Sequence, residues 1–151
     1  MYSDNLKNEQ LSGFGMASWL AEELKNIRLE EGLTDNIIAS MMCRVVNLAM
    51  VARLNQYYSH LSAIGLRALN VRHTISYRSF HIEHVVGYCY HPELDLHFTF
   101  DGTADQILGV GHGIQICYGV TFDESVQQMN SLLGINITQQ IVGPQSYSQL
   151  Y

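Results

Sequence analysis

Two stretches of alternating side chains on either side of Pro92 predict a hairpin that brings a histidine and an aspartate together. His84 begins the first alternation and Asp101 closes the second, among the β-branched and aromatic residues typical of strands. Between them, His91-Pro92-Glu93-Leu94 suits a type I turn because proline fixes φ at the second turn position. Pairing outward from this turn places His84 opposite Asp101, or one residue from it. An imidazole oriented by a carboxylate is half of a nucleophilic catalytic site.

The nucleophile for such a site is predicted at the start of a helix. Apolar residues recur at helical spacing over residues 41–64, Gly65 follows them, and Ser40 precedes them as a suitable N-cap. Cys43 would then lie in the first turn, where unpaired backbone N–H groups and the helix dipole stabilise a thiolate. If the helix began at Thr34 instead, Cys43 would lie in its interior and this stabilisation would be weaker.

Two further roles in the predicted site are assigned by position. The backbone N–H of Cys43 and the side-chain amide of Asn36 are the candidate donors to an oxyanion. His81 competes with His84 for the role of base. Strand alternation puts these two histidines on opposite faces, so only one of them can meet Cys43.

The remaining patterns predict one α+β domain over residues 1–151. Helices come first and strands follow, which favours N-terminal helices packed on a small antiparallel sheet. Two more helices are predicted: one at 17–28, capped by Ser12 or Ser18 and ended by Gly32, and one at 123–133, capped by Thr121 or Asp123 and ended by Gly134. Besides the two arms of the hairpin, strands are predicted at 66–77 and 114–122, with a short strand from 135. Residues 1–12 and 146–151 are predicted to form a loosely ordered arm and a frayed tail.

Composition argues against several classes of function. The chain of 151 residues has 8 basic and 14 acidic residues and a net charge of −6, without the clustered lysine and arginine of a nucleic-acid-binding surface. No apolar run approaches the roughly 18 residues that a membrane span requires. We therefore expect a soluble protein with no nucleic-acid or membrane partner, and the sequence does not indicate an oligomeric state.

The cysteines indicate a reducing compartment. Cys43, Cys89 and Cys117 are odd in number and show no paired spacing, and no charged leader followed by an apolar core opens the chain. We expect free thiols and a cytoplasmic location, which is also compatible with later delivery into another cell.

In this order the residues resemble the transglutaminase-like and papain-like cysteine enzymes. The resemblance covers residues 40–102 and is carried by Cys43 with Ala49, Gly65-Leu66-Arg67-Ala68 entering the first strand, His84 opening the second, and Phe100-Asp101 closing the third. It implies that Cys43 is the nucleophile, that His84 is its base and that Asp101 orients the histidine, with no metal or cofactor. The implied activity is hydrolysis or acyl transfer at an amide of a protein or peptide, through a thioester, as in a protease, a glutamine deamidase or a transglutaminase.

Two other functions stay open at the level of sequence. The first is a non-catalytic protein-binding module on the same fold, with Cys43 as a small buried apolar residue. The second is a metal-dependent or two-histidine phosphodiester hydrolase, suggested by His81-Ile82-Glu83 and by the pair His60-Leu61-Ser62 and His97-Phe98-Thr99. The sequence lacks the P-C-x-x-C motif that accompanies H-x-E in zinc deaminases. His60 lies in a helical pattern, whereas the two-histidine motif requires a strand.

Overall fold

The computed structural model describes residues 12–39, 41–75 and 78–143, with the side chains of residues 70, 72–75 and 78–82 outside the description. Residues 1–11 of the predicted arm, the suggested cap Ser40 and the predicted tail at 146–151 lie outside the described residues. Within the described ranges the elements in chain order are α1 (Gly13–Glu30), α2 (Cys43–Tyr57), a 3₁₀ turn (Ser59–Leu61), β1 (Ala63–Ile75), β2 (Arg78–His91), β3 (Leu96–Asp101), α3 (Asp105–Leu108), β4 (Gln115–Gly119), α4 (Phe122–Leu133) and β5 (Asn136–Val142).

The chain is α+β, with two long helices followed by a five-stranded antiparallel sheet of order β4-β3-β2-β1-β5. Helices α1 and α2 cover one face of the sheet, where Leu20 and Met50 pack in one core with Phe98. Helix α4 covers the other face, where Met129 packs with Val86. None of the helices in the described ranges is long and apolar enough to cross a membrane.

Local signals at the first and last helices act as predicted. The Ser12 hydroxyl oxygen accepts a hydrogen bond from the backbone N–H of Gly15 at 2.9 Å and caps α1. The Thr121 hydroxyl oxygen does the same for Glu124 at 3.1 Å in α4, which ends at Gly134 in the left-handed conformation. These caps depend on contacts within one turn, which is why the sequence pattern identifies them.

The helix that carries Cys43 ends earlier than its apolar pattern predicts. It stops at Tyr57, and the chain reaches β1 through the 3₁₀ turn and Ser62, which has a φ of 42°. Gly65 therefore lies within β1 and does not end a helix. A Cβ at Gly65 would lie 2.3 Å from the carbonyl oxygen of Val142, so glycine permits the close approach of β5. The apolar pattern continued past Tyr57 because Leu61, in the following turn, is also buried in the core.

The hairpin forms with a register two residues from the predicted one. A turn at residues 91–94 would place Tyr90 opposite Asp95. Tyr90 pairs instead with His97, because the loop contains the four residues from Pro92 to Asp95, with Asp95 at a φ of 51°. A shift of two residues keeps every side chain on its predicted face, since strand side chains alternate with a period of two. His84 and Asp101 consequently share a face without standing directly opposite each other.

Replacing Gly65 with alanine should lower the free energy of unfolding by about 2 kcal/mol, because the new methyl group would overlap the β5 backbone. Urea denaturation measures the change. The control is Ser62→Gly at an exposed left-handed position, which should alter the free energy of unfolding by less than about 0.5 kcal/mol. Unchanged stability of Gly65→Ala would contradict the close β1–β5 approach.

Candidate active site

The hairpin does bring His84 and Asp101 into contact. The ring Nε2 of His84 lies 2.6 Å from Oδ2 of Asp101, and both side chains are fully buried. The register of the hairpin, continued by one pair beyond Gly87 and Phe100, places Val86 opposite Asp101. His84 is thus two residues further along β2 and reaches the carboxylate diagonally, as long side chains in neighbouring strands can.

The second oxygen of Asp101 is held by the backbone and by a helix. Oδ1 accepts hydrogen bonds from the backbone N–H of Thr103 at 2.8 Å, from the Thr103 hydroxyl at 2.9 Å and from Nδ2 of Asn47 at 2.9 Å. Burial raises the pKa of this carboxyl group, but the charge of His84 and these hydrogen bonds outweigh burial and hold the pKa below its ordinary value. The carboxylate is therefore charged and fixed in orientation.

His84 lies between Asp101 and Cys43. Asp101 occupies Nε2, so Nδ1 is the ring nitrogen left for Cys43, which contributes a hydrogen bond and a charge interaction. Burial lowers the pKa of His84, but the charge and hydrogen bond of Asp101, together with the interactions with Cys43, raise it to about 10. The ring is then an imidazolium at neutral pH. The side chain of its competitor His81 lies outside the described residues.

Cys43 is the first residue of α2 and Met42 is its N-cap, so the predicted start at 41 after a Ser40 cap and the alternative start at Thr34 are both wrong. The Met42 side chain makes no cap hydrogen bond, so the first backbone N–H groups of the helix, beginning at Cys43, have no intrahelical acceptor. Met41, two residues before Cys43, has a φ of 60°, which is uncommon for a residue other than glycine. Such strain is typical of functional sites, where the surrounding structure imposes it.

Asn36 lies in an exposed turn before α2. The loop around it is fastened by Arg28, whose Nη2 donates to the carbonyl oxygens of Thr34 at 3.2 Å and Ile37 at 3.1 Å. The same guanidinium donates through Nη1 to the carbonyl oxygen of Gly102 at 2.8 Å. Arg28 thus ties the segment before Cys43 to the end of β3, while the role of Asn36 as an oxyanion donor stays a prediction.

Asn47 is a buried polar residue beside the His84–Asp101 pair that the sequence patterns did not single out. The register of the hairpin, continued by two pairs, places Val85 opposite Gly102. Between them lies the fully buried amide of Asn47, whose Nδ2 donates to the Val85 carbonyl at 2.7 Å and whose Oδ1 accepts from the Gly102 N–H at 2.7 Å. The amide takes the place of a ladder hydrogen bond next to both His84 and Asp101.

A signal for Asn47 was present in the sequence. It lies four residues after Cys43, and side chains at that spacing share one face of a helix. A buried amide in an otherwise apolar stretch requires hydrogen-bond partners, which marks it as a candidate for a structural or functional role. Its partners could not be named, because they come from residues 38 and 55 positions away.

The side chains of His81 and Ile82, which belong to the suggested zinc motif, lie outside the described residues. Among the described residues, no group of three or more His, Cys, Asp or Glu side chains could hold a metal ion. His60 lies in the 3₁₀ turn, with its ring 6.4 Å from that of His91, whereas His97 lies on β3 with its ring 5.9 Å from that of Tyr88. The pair of strand histidines that a two-histidine hydrolase requires is therefore not formed by His60 and His97.

Comparison with known proteins gave no match: no family model, no curated protein and no solved structure is significantly similar to this chain. The candidate site therefore has to be interpreted from its own geometry.

The buried pair should give stability a defined pH dependence. Because the pKa of His84 is raised from 6.5 to about 10, its contribution to the free energy of unfolding is complete below pH 6.5 and is lost as the pH rises toward about 10. The contribution of Asp101, whose pKa is lowered, is complete above 3.8 and is lost as the pH falls. Urea denaturation at several pH values measures both.

The control for this dependence is Asp101→Asn, which removes the charge that raises the pKa of His84. This variant should lose most of the decline in stability between pH 6.5 and about pH 10. Equal pH dependence in the variant and the parent protein would contradict an ion pair between His84 and Asp101.

Asn47→Ala should lower the free energy of unfolding by about 3 kcal/mol, because three buried groups lose a hydrogen bond. It should also reduce alkylation of Cys43 by iodoacetamide. Asn55 supplies a matched control, since its amide likewise bridges the N–H and C=O of Ala63 from the same helix, at 3.1 and 3.0 Å. Asn55→Ala should leave alkylation of Cys43 unchanged, and equal loss in the two variants would reduce Asn47 to a purely structural role.

Proposed function

We propose that this protein is a cysteine-dependent amide hydrolase or acyl transferase that acts through a thioester on Cys43. One observation carries the proposal: the buried pair of His84 and Asp101 is in contact with a cysteine at the start of a helix. A thiol, an imidazole and a carboxylate in this sequence of contacts are the groups that nucleophilic catalysis at a carbonyl requires.

The first half-reaction transfers the acyl group to the protein. The Cys43 thiolate attacks the carbonyl carbon of the amide, and the carbonyl oxygen takes the negative charge. The backbone N–H groups at the start of α2 support this oxyanion, because they lack intrahelical acceptors. When the C–N bond breaks, the His84 imidazolium gives its proton to the leaving amine, and a thioester remains on Cys43.

The second half-reaction releases the acyl group. The oxygen of an incoming water, or the nitrogen of an incoming amine, attacks the thioester carbon while neutral His84 accepts the proton that this molecule loses. The Cys43 thiolate then leaves. Water yields a carboxylic acid, as in peptide hydrolysis or glutamine deamidation, and an amine yields a new amide. Asp101 stabilises the imidazolium at each stage and keeps Nε2 directed away from Cys43.

The element order supports a transglutaminase-like or papain-like core as part of this proposal. Cysteine at the start of α2, histidine on β2 and aspartate at the end of β3 follow the order from which the resemblance was inferred. The substrate class that follows is a protein or peptide amide, processed without a cofactor.

A binding module on the same fold is the second candidate, and one observation favours it. Only 7 % of the Cys43 surface is exposed, so a substrate carbonyl has a narrow approach to the thiol. In this role Cys43 would be a packing residue, since it belongs to a small apolar cluster with Leu48, Val85 and Val142.

The experiment that tests the proposal is alkylation by iodoacetamide over a range of pH, followed by mass mapping. Cys117 is an internal control, because its exposure of 8 % matches that of Cys43 while burial raises its pKa. Cys89 is fully buried, with a pKa raised by burial to about 12. We expect Cys43 to react faster than both other cysteines and to lose this advantage in His84→Ala. Reaction of Cys43 no faster than Cys117 would sink the enzyme proposal and leave the binding module.

A second test separates chemistry from folding. Cys43→Ala should abolish turnover of amide substrates while changing the free energy of unfolding by no more than about 1–2 kcal/mol, since the lost thiol is small. Cys117→Ala removes a thiol of similar exposure from the other core and should retain turnover. Turnover that survives in Cys43→Ala would rule out a thioester on this residue.

A further inference from the structure

Two arginines share one glutamate next to the candidate active site. Arg44 follows Cys43 in α2, and Glu83 precedes His84 in β2. Nη2 of Arg44 donates to one oxygen of Glu83, and Nη2 of Arg67 in β1 forms an ion pair with the other. The three side chains are between 23 and 34 % exposed, so water and small solutes reach the cluster.

The cluster carries an unbalanced positive charge. One carboxylate compensates one of the two guanidinium groups, and the additional partner of Arg67 is the neutral amide oxygen of Gln140 at 3.2 Å. Among the described residues, Nη1 of Arg44 and Nε of Arg67 have no hydrogen-bond partner. Both atoms are buried, so an incoming anion would contact the exposed parts of the two guanidinium groups, and the surrounding residues satisfy the cluster only in part.

Arg53, on the same helix, shows the opposite arrangement. Its guanidinium lies between Glu23 at 3.1 Å and Glu30 at 3.3 Å, so that two carboxylates surround one cation. Arg53 therefore has two carboxylate partners for one positive charge, whereas Arg44 and Arg67 share one carboxylate between two positive charges.

The excess charge lies on residues that neighbour Cys43 in the fold. Val85 belongs to the same small apolar cluster as Cys43, and Arg67 pairs directly with Val85 across the β1–β2 ladder. Arg44 is the second residue of α2, where the helix dipole also favours an anion. The side of the site formed by these residues is therefore electropositive, while the chain as a whole has a net charge of −6.

We infer that Arg44 and Arg67 form an anion subsite that binds a carboxylate of the acyl substrate, adjacent to the carbonyl that Cys43 attacks. A singly charged carboxylate matches the one uncompensated positive charge and accepts hydrogen bonds from guanidinium groups in a planar, paired geometry. The inference rests on the proposed function and adds a preference for acidic acyl substrates.

Two alkylating reagents of nearly equal size test the subsite. Iodoacetate carries the carboxylate and iodoacetamide is its neutral counterpart, and both alkylate the thiolate with loss of iodide. The ratio of their rate constants at Cys43 is therefore independent of how much thiolate is present. We expect this ratio to fall about threefold in Arg44→Gln and in Arg67→Gln, because each substitution removes one of the positive charges that attract the carboxylate. Added salt should lower the ratio in the parent protein.

Controls separate the subsite from folding and from net charge. Arg44→Lys keeps the charge and should keep most of the ratio, while Arg53→Gln changes the net charge equally and should leave the ratio unchanged. Circular dichroism of each variant verifies that it is folded, and Arg67→Gln provides an independent result if Arg44→Gln does not fold.

The outcomes distinguish the two proposals. Selective alkylation of Cys43 by iodoacetamide with an unchanged ratio in both glutamine variants overturns the subsite and leaves the proposed function standing. A ratio that falls equally in Arg53→Gln also overturns the subsite, because the effect would then come from net charge. If Cys43 of the parent protein reacts no faster than Cys117, the proposed function fails and the subsite fails with it.

Discussion

The burial of the Asp101 carboxylate is the constraint on which the arrangement of this site depends. An ion taken out of water without partners costs several kcal/mol, and Asp101 is fully buried. Its partners come from three places in the chain: His84 on β2, Asn47 on α2 and Thr103 in the loop after β3. The carboxylate is compensated only when the helix and both strands are docked, so formation of the site and packing of the domain are one event.

A second buried carboxylate extends this constraint to the first helix. Asp105 lies four residues after Asp101 and pairs with Arg28 of α1 at 2.9 Å, with both side chains almost fully buried. Arg28 also holds the carbonyl groups of the loop before Cys43. The segment from 101 to 105 therefore connects both long helices to the end of β3. Buried pairs of this kind contribute little net stability, and we expect their main effect to be on which arrangement is adopted.

The Asn47 amide fixes the position of α2, which carries the Cys43 thiol, relative to the strands that carry His84 and Asp101. Its amide lies between two strands that would otherwise continue their ladder, and it follows Cys43 by one helical turn. Any shift of α2 along the sheet would break hydrogen bonds next to both His84 and Asp101. Such positioning is what catalysis by proximity requires, because the reacting groups must be held at contact distance before the substrate arrives.

Several features were readable from the sequence because they depend on neighbours along the chain. The caps at Ser12 and Thr121, the end of α4 at Gly134 and the α+β order all follow from local patterns. Strand periodicity predicts that His84 and Asp101 share one face of the hairpin. The observed register differs from the predicted one by two residues, and a shift by an even number of residues leaves each side chain on its predicted face. Cys43 was expected in the first turn of its helix and lies there.

Only the tertiary structure decided the features that depend on distant partners. The end of α2 at Tyr57, the strand role of Gly65, the bridging amide of Asn47 and the pairing of Arg44 and Arg67 with Glu83 all require knowledge of which elements dock. Asn47 and Asp101 are separated by 54 positions, and no periodicity relates residues so far apart. Sequence patterns report which face a residue occupies within its own element. Which residue then meets it from another element is determined by packing and by the need of each buried polar group for a partner.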